Sequence, residues 1–171
     1  MKTIATFSIL VLTACTAHSQ VTSLYTDLAE KKCRTILSTS AEGGSYRGIC
    51  PGVAGYRLEV IEGDLRQTLN VIAPNKKKHE LDLQNVSGAF SSVGPRAEWR
   101  MNGRKPTALI FRFDASIDPN DGSRTASHLV VAKITSAAIC ITDVIAPGKF
   151  QNTEARRAAN TASTRPCKFT N

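Results

Sequence analysis

Histidine is scarce in this 171-residue chain, and only His79 and His128 lie beyond its first twenty positions. A Ser-His-Asp hydrolase also needs a serine on a sharp strand-to-helix turn. No G-x-S-x-G occurs, and "FSSVG" (90–94) lacks the first glycine. No C-x-x-C occurs either, which removes the close-set ligand pairs of a structural zinc site. Gly43 and Gly48 have phosphate-loop spacing, but Ile49-Cys50 follow where that loop needs lysine and a hydroxyl residue. "DPNDGS" (118–123) brings its glycine one place early for an EF-hand, and the twelfth position is Leu129, so it reads as a solvated turn. Aromatic residues make up 6% of the chain and do not interleave with the basic clusters, which argues against a nucleic-acid stacking platform. The residues thus name no cofactor, no metal set and no catalytic group.

What is present begins with "MKTIATFSILVLTACTAHSQ". One early lysine and an apolar run of eleven residues, Ile4 to Ala14, form a secretory leader too short to span a bilayer. Cleavage after Ser19 gives a signal peptide of 1–19 and one β-rich domain over 20–171. Leu12 to Cys15 offers an alternative: a lipoprotein signal of 1–14 with lipidated Cys15 as an outer-membrane anchor. No second hydrophobic run offers a transmembrane span. Loss of Lys2 takes the formal charge from +8 to +7, so the exported chain stays basic.

Of the five cysteines, Cys33, Cys50, Cys140 and Cys167 lie beyond the leader. An even set in an exported chain implies disulfides. Three connectivities are open; the local one, Cys33–Cys50 with Cys140–Cys167, is expected because each pair brackets a compact segment.

The middle of the chain alternates as antiparallel β. Tyr56, Leu58 and Val60 precede a turn at 62–64, and Leu65, Leu69 and Val71 follow it. A short strand is expected at 79–83. A second hairpin joins 97–101 to 107–115 across Asn102-Gly103, and strands follow at 128–135 and 138–145. Residues 30–34 are compatible with a helical turn or a strand. After Pro147-Gly148 the pattern becomes helical over 152–163, with Thr153 as N-cap and Ala155, Ala158, Ala159 and Ala162 on one face. The expected architecture is mainly β: a single antiparallel sandwich or partly open barrel with one C-terminal helix and two disulfides.

"LYTDL" (24–28), "CRTI" (33–36), "GGSYRGICPGVAGYRLEV" (43–60), "FSSVGPRAEWR" (90–100) and "SHLVVAKIT" (127–135) resemble an uncharacterised family of small secreted bacterial proteins. The resemblance implies export, a two-disulfide layout and a bacterial source, and it transfers no site residue.

"EGGSYRGICPG" (42–52) reads as a loop whose glycines let a bend reach the disulfide. Within it "SYRG" is echoed by "GYRL", giving Tyr46, Arg47, Tyr56 and Arg57 as a candidate surface for stacking on sugars and pairing with acids. The competing reading buries the tyrosines in strands with the arginines toward water. The function expected is a secreted or periplasmic, non-enzymatic protein that binds a macromolecular partner or an anionic envelope surface. Two alternatives stand beside it. "SGAF" (87–90) and "GGSY" (43–46) invite comparison with periplasmic lysozyme inhibitors, although the basic charge opposes binding to basic lysozymes. An envelope hydrolase would instead gather His79 or His128 with a carboxylate and a serine from distant strands.

Overall fold

The computed structural model describes residues 21–40, 44–118 and 121–169. The leader, Cys15, residues 42–43 of the glycine-rich stretch and Pro119 and Asn120 of the 118–123 turn lie outside them. Ten strands form one sheet: β1 (Val21–Asp27), β2 (Arg34–Thr39), β3 (Ser45–Pro51), β4 (Arg57–Gly63), β5 (Arg66–Ile72), β6 (Lys78–Glu80), β7 (Ser91–Asn102), β8 (Lys105–Ser116), β9 (Thr125–Ile134) and β10 (Ile139–Ile145). A single turn of 3-10 helix, 30–32, precedes β2. Helix α1 (Gln151–Thr161) follows β10.

The strand order is β10-β9-β8-β7-β5-β4-β3-β2, and the sheet does not close. All its pairings are antiparallel except one parallel bridge, Arg66 to Ser91, which joins β5 to β7. Beyond that bridge β7 changes neighbour, and its C-terminal half pairs with β1 from Arg96 to Asn102. The sheet thereby folds over itself. Leu58, Val60, Leu69 and Val71 of one half meet Trp99, Phe111, Phe113, Val130 and Ile141 of the other in one core. Trp99 is fully buried, and its indole N–H donates to Thr26 Oγ1 at 2.9 Å, so β1 is fastened to the core by a satisfied polar group.

Alternation explains these elements. In β4 and β5 the inward positions are buried leucine and valine; the β4–β5 turn places Asp64 and Leu65 at φ +51° and +57°, the geometry of a tight hairpin. The expected strand at 79–83 is shorter, ending at Glu80, because Leu81 and Leu83 bury their side chains around a 3-10 turn at 83–85. Helix α1 begins one residue earlier than expected, and Phe150, not Thr153, is its N-cap. Its first turn is anchored instead by Gln151, whose amide donates to the carbonyls of Ser127 and Ile145. Ala155, Ala158, Ala159 and Ala162 press against Ala108, Ile110, Leu129 and Val131 on the outer face of β8 and β9. The helix is further tied to β7 by Arg156, which donates to both oxygens of Glu98, and by Arg100, which donates to Asn160.

Two disulfides, Cys33–Cys50 and Cys140–Cys167, close segments of 17 and 27 residues. The glycine-rich stretch is corrected by the structure: Ser45–Pro51 is a strand, paired on both edges, not a loop. Gly48 and Gly52 make room for their neighbours. A Cβ on Gly48 would lie 2.0 Å from the Tyr46 hydroxyl, and one on Gly52 would lie 2.5 Å from the Tyr56 carbonyl oxygen. Among the described residues no helix is long and apolar enough to cross a membrane.

Candidate anion-binding face

Period two divides the four candidate residues by direction. Tyr46 points inward from β3, is buried, and lies across Gly48. Burial, then the charge of Glu30, raises its phenol above its ordinary pKa. Tyr56 is half-buried beside Trp99, with ring centroids 5.9 Å apart. Neither ring is offered as a stacking platform. Arg47 and Arg57 point the other way, onto the outward face of β3 and β4.

Register shows what accompanies them. Arg34, Ile49, Glu59, Asn70 and Glu80 lie directly opposite one another across five strands, from β2 to β6. The adjacent row on one side runs Pro51, Arg57, Ile72 and Lys78; on the other side it runs Leu37, Arg47, Ile61 and Thr68. Arg34, Arg47, Arg57 and Lys78 therefore share one outward face with Glu59, and Arg47 and Lys78 reach it.

Glu59 is the organising group. Its side chain is 0% exposed although it sits on the outward face, because its cationic partners lie over it. Arg47 donates to Oε1 at 2.6 Å, Lys78 to Oε2 at 2.7 Å, and Asn70 Nδ2 to Oε2 at 3.0 Å. Burial pushes the carboxyl pKa up, but hydrogen bonds from Lys78, Asn70 and Arg47 outweigh it and hold the group below its ordinary value. The carboxylate is thus ionised, and it fixes two long side chains that would otherwise roam. Arg47 and Lys78 keep 41% and 36% of their side-chain surface in solvent, so each still presents donors outward. Arg34 and Arg57 are exposed and make no ion pair among the described residues. The four cations outnumber the carboxylates they surround, which makes the face an attractor for anions.

Glu59, Asn70 and Lys78 were not identified from sequence. Lys78 belongs to a lysine run that reads as a solvated turn, whereas in the fold it begins β6. The available signal for Glu59 is its outward place in "RLEV", between inward-facing Leu58 and Val60.

The largest cavity among those described, about 420 Å³, lies at the seam where β6 and β10 face each other unpaired. Leu81, Ile139, Ile141 and Phe169 line it, with Lys77, His79, Glu80 and Asp82 also at its walls. Burial, then the charge of Lys77, lowers the His79 pKa. This groove sets a histidine near carboxylates, as the hydrolase alternative requires, but its lining includes no serine or threonine. His128 stands apart, on β9 opposite Phe113. Among the described residues no group of three or more His, Cys, Asp and Glu side chains is placed to hold a metal. A comparison of the chain with family models, curated proteins and solved structures finds no match.

Proposed function

We propose that this is an exported, non-enzymatic binding protein of the bacterial envelope or its surroundings, and that its outward face on β2–β6 docks on an anionic surface. The observation that carries the reading is the placing of Arg34, Arg47, Arg57 and Lys78 on one outward face, with Arg47 and Lys78 held by buried Glu59. Ordering long cations ahead of time reduces the entropy lost when an anion arrives. Guanidinium groups add paired donors suited to phosphate or carboxylate oxygens. The leader, the two disulfides and the formal charge of +8 are consistent with a partner of that sign outside the cytoplasm. Lipopolysaccharide and acidic polysaccharide are the candidate surfaces.

The test compares two doubly reversed variants for binding to lipopolysaccharide at low and raised salt. Arg34→Glu/Arg57→Glu changes the face; Arg104→Glu/Arg157→Glu makes the same charge change at exposed cations elsewhere. Binding should weaken with salt in the native protein, fall about tenfold or more in the first variant, and change much less in the second. Equal losses would mean that net charge alone is responsible, and salt-independent binding would sink the proposal.

A further inference from the structure

Beyond the cationic patch, the same sheet face turns acidic and oxygen-rich at its far edge. Thr68 and Asn70 of β5, Glu80 of β6, and Asp82 and Gln84 after it line a cavity of about 260 Å³, with Ile61 as its apolar wall. All five polar side chains carry oxygen, and the cavity wall includes no imidazole or thiol. Glu80 and Asp82 are exposed and together supply two negative charges.

Asn70 is the second, independent observation. It is 2% exposed, and its Oδ1 accepts no hydrogen bond from the protein. Its amide nitrogen is committed to Glu59 on β4, and Glu59 and Glu80 are its opposite neighbours in the register. The two ends of a planar amide point apart, so the oxygen is turned away from Glu59, and Asn70 is among the residues that line the cavity. Glu59 accepts from the amide nitrogen, which fixes which end is which. A buried carbonyl oxygen with no donor is costly, by about 1–3 kcal/mol on mutational scales. A positively charged ligand would supply what it lacks.

We propose that the Asn70–Glu80–Asp82 cavity is a site for a hard divalent cation, calcium being the fitting one. Oxygen-only donors exclude a preference for zinc or copper. Two carboxylates match a double charge, and an amide oxygen with waters completes the six to eight ligands that calcium accepts. Exposed, flexible carboxylates suit calcium better than magnesium, which demands near-ideal octahedral geometry. Asp82 Oδ2 accepts from Asn85 Nδ2 at 2.8 Å, which steadies one of the two carboxylates. The site attracts the opposite charge at the far edge of the same sheet, and it shares Asn70 with the Glu59 network.

The experiment is calorimetric and thermal titration of the disulfide-bonded protein with calcium chloride, against potassium chloride at matched ionic strength. A dissociation constant of about 10⁻⁴–10⁻³ M is expected, as for extracellular calcium modules. At a hundredfold excess over that constant the melting temperature should rise by about 5–10 °C. Glu80→Gln/Asp82→Asn should weaken calcium binding at least tenfold. Because both residues are exposed, its far-ultraviolet circular dichroism should match the native protein. Asp82→Asn alone serves if the double variant does not fold. No calcium-specific heat or stabilisation up to 10 mM (about ten times the weakest expected constant) overturns the proposal. So does an undiminished response in the acid-free variant, which would place the binding elsewhere.

Discussion

Two outward faces of one sheet are each centred on a carboxylate, and they are put to different ends. On β7, Glu98 gathers Arg156, Arg100 and Ser23; Arg156 comes from α1, so the network seats a helix. On β4, Glu59 gathers Arg47, Lys78 and Asn70, all from other strands, and among the described residues no helix lies across it. The first face is finished from within the chain by a flat layer of alanines. The second carries the same docking chemistry with its cations still partly in solvent. This contrast is why the second face reads as an interface.

The contrast can be broken in a graded series. The largest loss of stability should follow removal of either disulfide by paired Cys→Ser substitution, about 3 kcal/mol each from the loop lengths closed. Urea denaturation measures it. Losing Cys33–Cys50 should also weaken lipopolysaccharide binding, because β2 carries Arg34, whereas losing Cys140–Cys167 should leave binding within about twofold. Equal binding by both variants would count against the assignment of the face.

Next, Ala159→Phe should overpack the seat of α1 and cost about 1–3 kcal/mol in thermal unfolding while leaving binding unchanged. A parallel loss of binding would tie the two faces together.

Acid titration sharpens the comparison further. For both Glu98 and Glu59 burial pushes the pKa up, and hydrogen bonds bring it below the ordinary value: from Arg156 and Ser23 to Glu98, and from Lys78, Asn70 and Arg47 to Glu59. A depressed folded pKa gives stability that is present above the unfolded pKa of about 4.3 and is lost as pH falls through the folded value. Replacing Arg47 and Lys78 together by methionine leaves burial as the main influence on Glu59. Its contribution then changes sign, so stability should fall less, or rise, as pH drops through the carboxylate range, read as the urea midpoint against pH. An unshifted acid limb would show that the cations do not control Glu59. Smallest of all, Arg34→Glu/Arg57→Glu should change stability by no more than about 0.5 kcal/mol, since both side chains are exposed.

The middle strands, the alanine-faced helix and the local disulfide pairing were legible because period two, period 3.6 and cysteine spacing are local signals. The glycine-rich stretch misled for a physical reason. Glycine marks turns when φ is positive, but Gly48 is there because the Tyr46 ring occupies the space of its side chain, and only the fold reveals that. Arg47 and Arg57 were legible as surface residues, and alternation separated them from their tyrosines. Glu59 was not, since its burial depends on Lys78 reaching it from β6, nineteen residues on (78 less 59). Asn70 escaped notice likewise; an amide in a strand looks ordinary until its neighbours are known.

The pairing of β1 with β7 has a consequence for assembly. Ser23 and Glu98 are 75 residues apart in sequence, whereas β3–β4 and β4–β5 are joined by short turns. A chain emerging N-terminus first exposes its opening strand long before that strand has anything to pair with. We expect β1 to be the last strand fixed, like a latch thrown once the body is shut, because distant contacts form against a larger loop-closure entropy. Pulse-labelled hydrogen exchange during refolding should show its amides protected after those of β4; earlier protection would refute the order. Whatever is joined to the chain ahead of Val21 would then hang from the part of the molecule that settles last, so a tether there should slow maturation before it touches stability.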